Sequence, residues 1–301
     1  MLAEVARRGS FSAAADALYM SQSAVSQQVA TLEREVGMPL VQRTSEGPKL
    51  TDAGSALVGH AEVAVARLEE AEHELSAIAG LSGGELHIAS FPTASAVLLL
   101  PAVREFSEAH PGVRLFITDA EPEDALPGLR AADIDLVLDL EYSSLPLPEE
   151  RDLERRLLVT EAMHLALPRD HPLAGRSPVR LVELADEPWL SGLRPSSCGE
   201  VIVQACRDAG FDPRIAFESD DYGVLQGYVA AGLGFTLLPD MALPTLHPDV
   251  VVRPTRPEAP TRRVWAATRA KGARSAATEA MVETLIRAGE RFASQPLGAV
   301  A

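Results

Sequence analysis

Residues 10–37 contain two stretches with the sequence pattern of a capped helix, separated by a short break. This feature constrains the fold more than any other in the chain. Ser10 precedes an alanine-rich run, and Ser21 precedes a longer run that reaches Val36 with apolar residues at helical spacing. Serine before such a run favours an N-cap. Residues 19–20 separate the two runs, and Gly37 ends the second one. The sequence therefore predicts two short helices joined by a turn.

Two short apolar pieces follow these helices and predict a β-wing. Leu40-Val41 and Lys49-Leu50-Thr51 lie on either side of Ser45-Glu46-Gly47-Pro48, which has the composition of a turn.

From residue 52 to about residue 79, small and apolar residues recur at alternating steps of four and three. This is the a/d pattern of a coiled coil. An ordinary amphipathic helix packed on its own domain is the alternative, but the strict period favours pairing. The predicted dimerisation seam comprises Leu57, Ala61, Ala64, Leu68, Ala71, Leu75 and Ile78. Residues 81–84, Leu-Ser-Gly-Gly, predict a hinge.

Strands and helices alternate after residue 84, which predicts parallel sheets with helices on both faces. About 215 residues are many for one sheet, so two α/β lobes with a cleft between them are expected. The predicted strands are 86–91, 113–118, 134–140, 214–217, 235–238, 250–253 and 263–268, with 157–167 extended. The predicted helices are 95–109, 122–132, 199–209, 221–231 and 275–292.

Composition narrows the class of protein. The net charge of −16 argues against a protein that coats nucleic acid nonspecifically, although residues 1–55 carry five basic and six acidic side chains and are nearly neutral. The longest apolar stretches are much shorter than the ~20 residues of a membrane span. With no signal-peptide pattern and two cysteines, a cytoplasmic protein is expected.

Several strings resemble LysR-type transcriptional regulators. They are Gly9–Ala15, Ser21–Gln28 with Leu32-Glu33, Val36–Arg43, Leu50–Gly54 and Val229–Pro239. The resemblance implies a winged helix-turn-helix over 1–55, a linker helix and hinge over 56–84, and a two-lobed, periplasmic-binding-protein-like effector domain over 85–301. Lobe I would comprise about 85–160 plus 265–301, and lobe II about 161–264. Members have more helix ahead of Gly9, so either a short first helix or an upstream start is expected.

The resemblance makes 22–36 the recognition helix for double-stranded promoter DNA. Glutamine amides can bond an adenine edge, and serines suit bases or phosphates. In the wing, the predicted contacts with the DNA backbone are Arg43, Lys49 and Thr51. The predicted contacts on the helix are Ser21, Gln22, Ser23, Ser26 and Gln27. An ordinary solvated helix face is the alternative for the glutamines. Affinity would need paired half-sites, and hence a homodimer or homotetramer.

Ligands of open α/β folds bind beyond the carboxyl ends of strands. This rule selects candidate effector contacts in both lobes, and plain N-caps or strand ends are the alternative for each. The candidates are Thr93, Ser95, Thr118, Ser191, Ser219 and Asp221. Glu121 and Asp221 would repel an anion, so the charge of the effector stays open.

A metal site, a cofactor and an enzyme activity find little support in the sequence. The histidines are scattered and the cysteines lack metal spacing, so no metal site and no cofactor are predicted. Neither a nucleophile–base pair nor a phosphate loop favours an enzyme. Cys198 and Cys206 resemble the redox pair of the peroxide-sensing branch of the family, so a thiol-based sensor is one alternative. A cytoplasmic small-molecule-binding protein with a non-functional helix-turn-helix is another.

Overall fold

The structure is a computed structural model, and it describes residues 1–44, 47–61, 63–64, 83–148, 150–270 and 274–295. The chain divides into two compact units, Met1–Glu72 and His73–Ala301.

The smaller unit is a helix-turn-helix followed by a two-stranded wing. Its elements are α1 (Leu2–Arg8), α2 (Phe11–Ala17), α3 (Gln22–Val36), β1 (Val41–Thr44), β2 (Gly47–Leu50) and α4, whose described part covers residues 52–61 and 63–64. Strands β1 and β2 pair antiparallel, which confirms the predicted wing. The core of the unit contains Val5, Ala14, Val25 and Leu40.

Local capping explains where these helices begin and end. The Ser10 hydroxyl accepts a hydrogen bond from the Ala13 N–H, and the Ser21 hydroxyl accepts one from the Ala24 N–H. The predicted break between the helices is also present, with Tyr19 in the left-handed region at φ 52°. Gly37 ends α3 at φ 80°, a conformation that glycine adopts without strain.

The predicted dimerisation seam is only partly described. Leu57 packs against the core of the smaller unit, whereas Ala61 and Ala64 are exposed. Leu68, Ala71, Leu75 and Ile78 lie outside the described residues.

The larger unit begins with a five-stranded sheet of order β4-β3-β5-β14-β6. Helices cover it, and a π-helical turn over Ser95–Leu99 joins two of them. These elements are β3 (Glu85–Ser90), α5 (Pro92–Ala94), α6 (Leu100–Ala109), β4 (Arg114–Asp119), α7 (Pro122–Arg130), β5 (Leu136–Tyr142), β6 (Leu153–Glu161), β14 (Arg262–Arg269) and α10 (Ala276–Ser294).

The second lobe lies between β6 and β14 in the sequence and contains three smaller sheets. Its core strand β7 is flanked by β11 and β12. Short 3-10 helices cover Leu181–Leu184 and Asp240–Thr245. The other elements are β7 (Met163–Pro168), β8 (Val179–Arg180), β9 (Pro188–Ser191), α8 (Ser197–Asp208), β10 (Arg214–Glu218), α9 (Tyr222–Ala230), β11 (Thr236–Pro239), β12 (Val250–Arg253) and β13 (Thr255–Arg256).

The two-lobed α/β architecture is confirmed, but the prediction of parallel sheets is wrong in part. Strands β3, β4 and β5 are parallel, whereas β14 runs antiparallel to both β5 and β6. Strands β11 and β12 also pair antiparallel with β7. The physical reason is that the chain leaves the first lobe at the carboxyl end of β6 and returns through β14. Strand β14 therefore starts at the end of the sheet where β5 and β6 finish, and it runs in the opposite direction to both. The extended stretch predicted over 157–167 is two strands, β6 and β7.

The two lobes share a continuous hydrophobic cluster, which includes Leu86 and Leu285 of the first lobe and Leu165 and Trp189 of the second. None of the described helices is long and apolar enough to cross a membrane.

Candidate DNA-binding and effector sites

The N-terminal turn of α3 presents a polar face. Ser21, Gln22, Ser23 and Gln27 are exposed, and Ser26 is partly exposed. On the opposite side of the helix, Val25 and Val29 are buried, and Leu32 packs against the same core. Positions 22, 23, 26 and 27 are spaced at three and four residues, so they share one face of the helix. Helix α3 therefore buries one stripe and leaves the other exposed.

The wing is fixed to helix α3 by Glu33. Its Oε1 atom accepts hydrogen bonds from the backbone N–H groups of Leu40 at 2.8 Å and Val41 at 3.1 Å. In the wing, the exposed Lys49 is the register partner of Gln42. Arg43 lies on β1, but its side chain is outside the described part.

Thr51 does not lie on the wing, because β2 ends at Leu50. Its hydroxyl donates to the Pro39 carbonyl at 2.9 Å and accepts from the Gly54 N–H at 3.0 Å. The side chain therefore caps α4, and a phosphate contact would compete with these two bonds. Sequence reasoning also passed over Tyr19, which stands 98% exposed in the turn before α3. An aromatic residue in the break between two predicted helices was the available signal.

A cavity of about 390 Å³ lies in the larger unit, and both lobes contribute to its wall. The first lobe supplies Phe91, Thr93, Val97 and Glu121, and the second supplies residues of α8, α9 and the segment around β11. Helix α7 of the first lobe is also linked to α8 of the second, since Glu123 Oε1 accepts hydrogen bonds from the N–H and the hydroxyl of Ser197 at 3.1 and 3.0 Å.

A buried ion pair lies at this cavity, at the point where the chain crosses between the lobes. The Nε of Arg262 donates to Oε1 of Glu161 at 2.6 Å, and both side chains are 1% exposed. Arg262 also donates to the Thr93 hydroxyl at 3.1 Å, while Glu161 Oε2 accepts from the Met241 N–H at 2.8 Å. The guanidinium carbon lies 5.3 Å from the centroid of the Phe91 ring. Burial raises the pKa of Glu161, and Arg262 opposes that shift. Sequence reasoning missed both residues, because nothing in the local pattern marks a charged strand end as buried.

Acidic side chains also line the cavity, namely Glu121, Asp220 and Asp221. Asp220 accepts from the Leu193 N–H at 2.8 Å, and Asp221 caps α9 by accepting from Gly223 and Val224. Burial and the nearby Asp220 raise the pKa of Glu121 to about 7.

The Cys198 thiol lies on the cavity wall, and its sulfur accepts a hydrogen bond from the Tyr142 hydroxyl at 3.3 Å. Burial and the charge of Glu121 raise the pKa of this thiol to about 12. Cys206 is fully buried in the core, and burial raises the pKa of its thiol to about 12 as well.

Of the six residues predicted as effector contacts, three line the cavity and three do not. Thr93, Ser219 and Asp221 line the cavity. Ser95 does not, because Thr93, Ala96 and Val97 share a helix face that excludes it.

Thr118 and Ser191 are also off the wall. Thr118 is an exposed residue of the edge strand β4, which runs one residue further than predicted, to Asp119. Ser191 is fully buried, and its hydroxyl donates to the Gly192 carbonyl at 3.0 Å. The neighbouring Gly192 lines the cavity, whereas Ser191 does not. Within the described residues, no group of histidine, cysteine and acidic side chains is arranged to hold a metal ion.

Comparisons with known proteins match both units of the chain. Residues 1–55 match the family described as bacterial regulatory helix-turn-helix protein, lysR family, and residues 79–290 match the LysR substrate binding domain. The chain belongs to the LysR family of DNA-binding transcription regulators. Its larger unit is the family's effector-binding domain.

Two LysR-family relatives and one solved structure illustrate the similarity. The transcriptional dual regulator GltC of Bacillus subtilis (strain 168) is 32% identical over 252 residues, which cover 83% of this chain and 82% of GltC. The hydrogen peroxide-inducible genes activator of Escherichia coli O157:H7 is 31% identical over 245 residues, covering 81% and 78%. A full-length OxyR variant from Pseudomonas aeruginosa shares the fold with a TM-score of 0.68 at 24% identity, covering 94% of this chain and 92% of that one.

Proposed function

We propose that this LysR-family regulator reads double-stranded promoter DNA through the N-terminal turn of α3 and is controlled by a small molecule bound in the cavity between its lobes. The observation that carries the proposal is the polar face of α3, where a capped helix start exposes Gln22, Ser23 and Gln27. Exposed amide and hydroxyl groups at a helix N-terminus suit base edges and phosphates.

The contacts divide by chemistry. Gln22 and Gln27 would read bases, because an amide can form two hydrogen bonds with an adenine edge. Backbone phosphates would be contacted by the serines and by the wing, and such contacts position the protein without reading sequence. The proposed phosphate contacts are Ser21, Ser23, Ser26, Arg43 and Lys49. Thr51 would join them by exchanging one of the two bonds of its hydroxyl for a phosphate.

Two copies of the chain would bind together. One recognition helix makes few phosphate contacts, so paired half-sites are needed for affinity. The seam from Leu57 to Ile78 is proposed to pair two chains as a homodimer, from which a homotetramer could be built. The exposure of Ala61 and Ala64 supports this pairing.

The larger unit is proposed as a sensor and not as an enzyme, acting in the cytoplasm where the promoter is. A cavity of about 390 Å³ between two lobes is large enough for a small organic molecule. Domain limits of 1–55, 56–84 and 85–301 are proposed for the DNA-binding, linker and effector parts.

The test is a gel shift of the full chain with its own upstream intergenic DNA, at about physiological salt with competitor DNA. A Gln22→Ala/Ser26→Ala double variant is compared with Glu35→Ala, which changes an exposed residue near the far end of α3. A specific shift that the double variant loses and Glu35→Ala keeps supports the proposal. No specific shift by the wild type would leave a small-molecule-binding protein with a non-functional helix-turn-helix.

A thiol sensor is the second candidate, favoured by the position of Cys198 on the cavity wall. Two observations oppose it. The raised pKa keeps the thiol protonated and unreactive. Cys198 and Cys206 also belong to one helix, α8, in which eight residues span ~12 Å, whereas disulfides need Cα atoms within ~7 Å. A disulfide would require α8 to unwind.

A further inference from the structure

The cavity wall carries an excess of negative charge. Among the described residues that line it, Glu121, Asp220 and Asp221 are acidic, and Arg262 is the single cationic one. The charge of Arg262 is already matched by Glu161 at 2.6 Å. A ligand entering this cavity therefore meets acidic groups that no cation among the described residues of the wall balances.

Glu121 is the acidic group best placed to accept a ligand. It immediately precedes α7 but makes no side-chain cap. Its carboxylate has no hydrogen-bond or ion-pair partner among the residues that the structure describes. The carboxylates of Asp220 and Asp221, by contrast, each accept backbone N–H groups.

A second, independent feature of the wall also lacks a partner. Thr236 lines the cavity and is 1% exposed, and its hydroxyl makes no hydrogen bond within the described part of the chain. Leaving a buried hydroxyl without a partner is unfavourable, so such a group is normally satisfied by something bound nearby. The remaining wall is largely apolar, with Phe91, Ile202 and Leu225 prominent.

We propose that the effector is a small organic molecule that carries a protonated amine, which pairs with Glu121, and an apolar body, which packs between Phe91 and Leu225. This inference rests on the proposed effector function of the same cavity. A carboxylate ligand would have to enter against Glu121, Asp220 and Asp221, and it would find Arg262 already bonded to Glu161 and Thr93.

The titration of Glu121 gives the proposal a pH signature. Burial, Asp220 and Glu123 raise its pKa to about 7, Asp119 adds to the shift, and Arg262 opposes it. The neighbouring Cys198 thiol stays neutral, because its own pKa is about 12. An alkylamine is protonated at both pH 6 and pH 8. Ionised Glu121 is needed for pairing, so amine affinity is expected to be about tenfold higher at pH 8 than at pH 6.

The test is calorimetric titration of the full chain, without DNA, with three probes of similar size. The probes are 2-phenylethylamine, the anion 3-phenylpropionate and the neutral 2-phenylethanol. At pH 8 the amine is expected to bind about tenfold more tightly than either comparator. Glu121→Gln should remove this preference and its pH dependence while leaving binding of the alcohol unchanged. Asp124→Asn, which alters an exposed acid of the same helix α7, should keep both.

Three outcomes would overturn the proposal. They are tighter binding of the carboxylate than of the amine, undiminished amine binding by Glu121→Gln, and no amine binding at concentrations up to about 10 mM. Because no DNA is present, these results leave the DNA-binding proposal to be judged separately by the gel shift.

Discussion

Glu161 and Arg262 face each other as register partners at the adjoining ends of β6 and β14, and the Nε of Arg262 donates to Oε1 of Glu161 at 2.6 Å. The chain passes from the first lobe to the second just after Glu161 and returns just before Arg262. This one ion pair therefore holds together the two chain segments that cross between the lobes. Its hydrogen bonds to Thr93 and Met241 connect it to the cavity wall.

Removing one partner of this pair is expected to be costly. Arg262→Met leaves the buried Glu161 carboxylate without its cation, and such a change costs about 3–5 kcal/mol of unfolding free energy. Urea denaturation of the larger unit measures the loss. The control is Arg156→Met, which breaks an exposed pair with Glu283 and should cost no more than about 1 kcal/mol. Equal, small losses in both variants would contradict the role given to the Glu161–Arg262 pair.

Glu121→Gln is expected to stabilise the protein at pH 8 relative to the wild type. The pKa of Glu121 is about 7 in the fold and 4.5 ordinarily, so the folded state holds a proton that the unfolded chain has released. Wild-type stability therefore falls as pH rises from 4.5 to 7, and the uncharged glutamine avoids this loss. Melting temperatures of the two proteins should differ at pH 8 and converge near pH 4.5. A constant difference at both pH values would show that the raised pKa is not the cause.

Two glycines of α4 should respond in opposite ways to alanine. A Cβ at Gly54 would lie 2.1 Å from the Leu40 carbonyl oxygen, whereas one at Gly59 would meet nothing within 4 Å. Gly54→Ala forces the wing away from α4 and should cost about 1–3 kcal/mol or more. Gly59→Ala, on an exposed helix position, should stabilise by about 0.4–1 kcal/mol. Thermal unfolding of the smaller unit measures both, and a neutral Gly54→Ala would disprove the close packing.

Cys198 is expected to react slowly with iodoacetamide. With a pKa of about 12 in place of 9.0, its thiolate fraction near neutral pH is lower by roughly a thousandfold. Alkylation of a Cys206→Ser variant, which reports Cys198 alone, should be at least about a hundredfold slower in the native state than in denaturant. Equal rates in the two states would revive the thiol sensor as the better account.

Local signals explain which parts of the fold could be predicted. Ser10, Ser21 and Gly37 act on their own helix ends, so the sequence places those ends almost to the residue. The return of β14 antiparallel between β5 and β6 could not be predicted in this way. It depends on where the chain crosses between lobes, and no short pattern records that.

The cavity residues also divide into those that a local sequence pattern marks and those that depend on distant parts of the chain. Thr93, Ser219 and Asp221 follow strands or begin helices, and the general rule for α/β folds finds them. Arg262 and Glu161 lie 101 residues apart in the chain, and they meet only through strand pairing. Ser95 fails for a finer reason, since one extra turn of helix before it rotates its side chain off the wall.

The central claim is that α3 reads a specific DNA sequence, and selection of binding sites from random duplexes tests it most directly. The full chain should enrich a two-fold symmetric site and bind it at least about a thousandfold more tightly than scrambled DNA at physiological salt. Gln22→Ala/Gln27→Ala should lose most of that preference while Glu35→Ala keeps it. Failure to enrich any site, or an unchanged preference in the double glutamine variant, would contradict the claim.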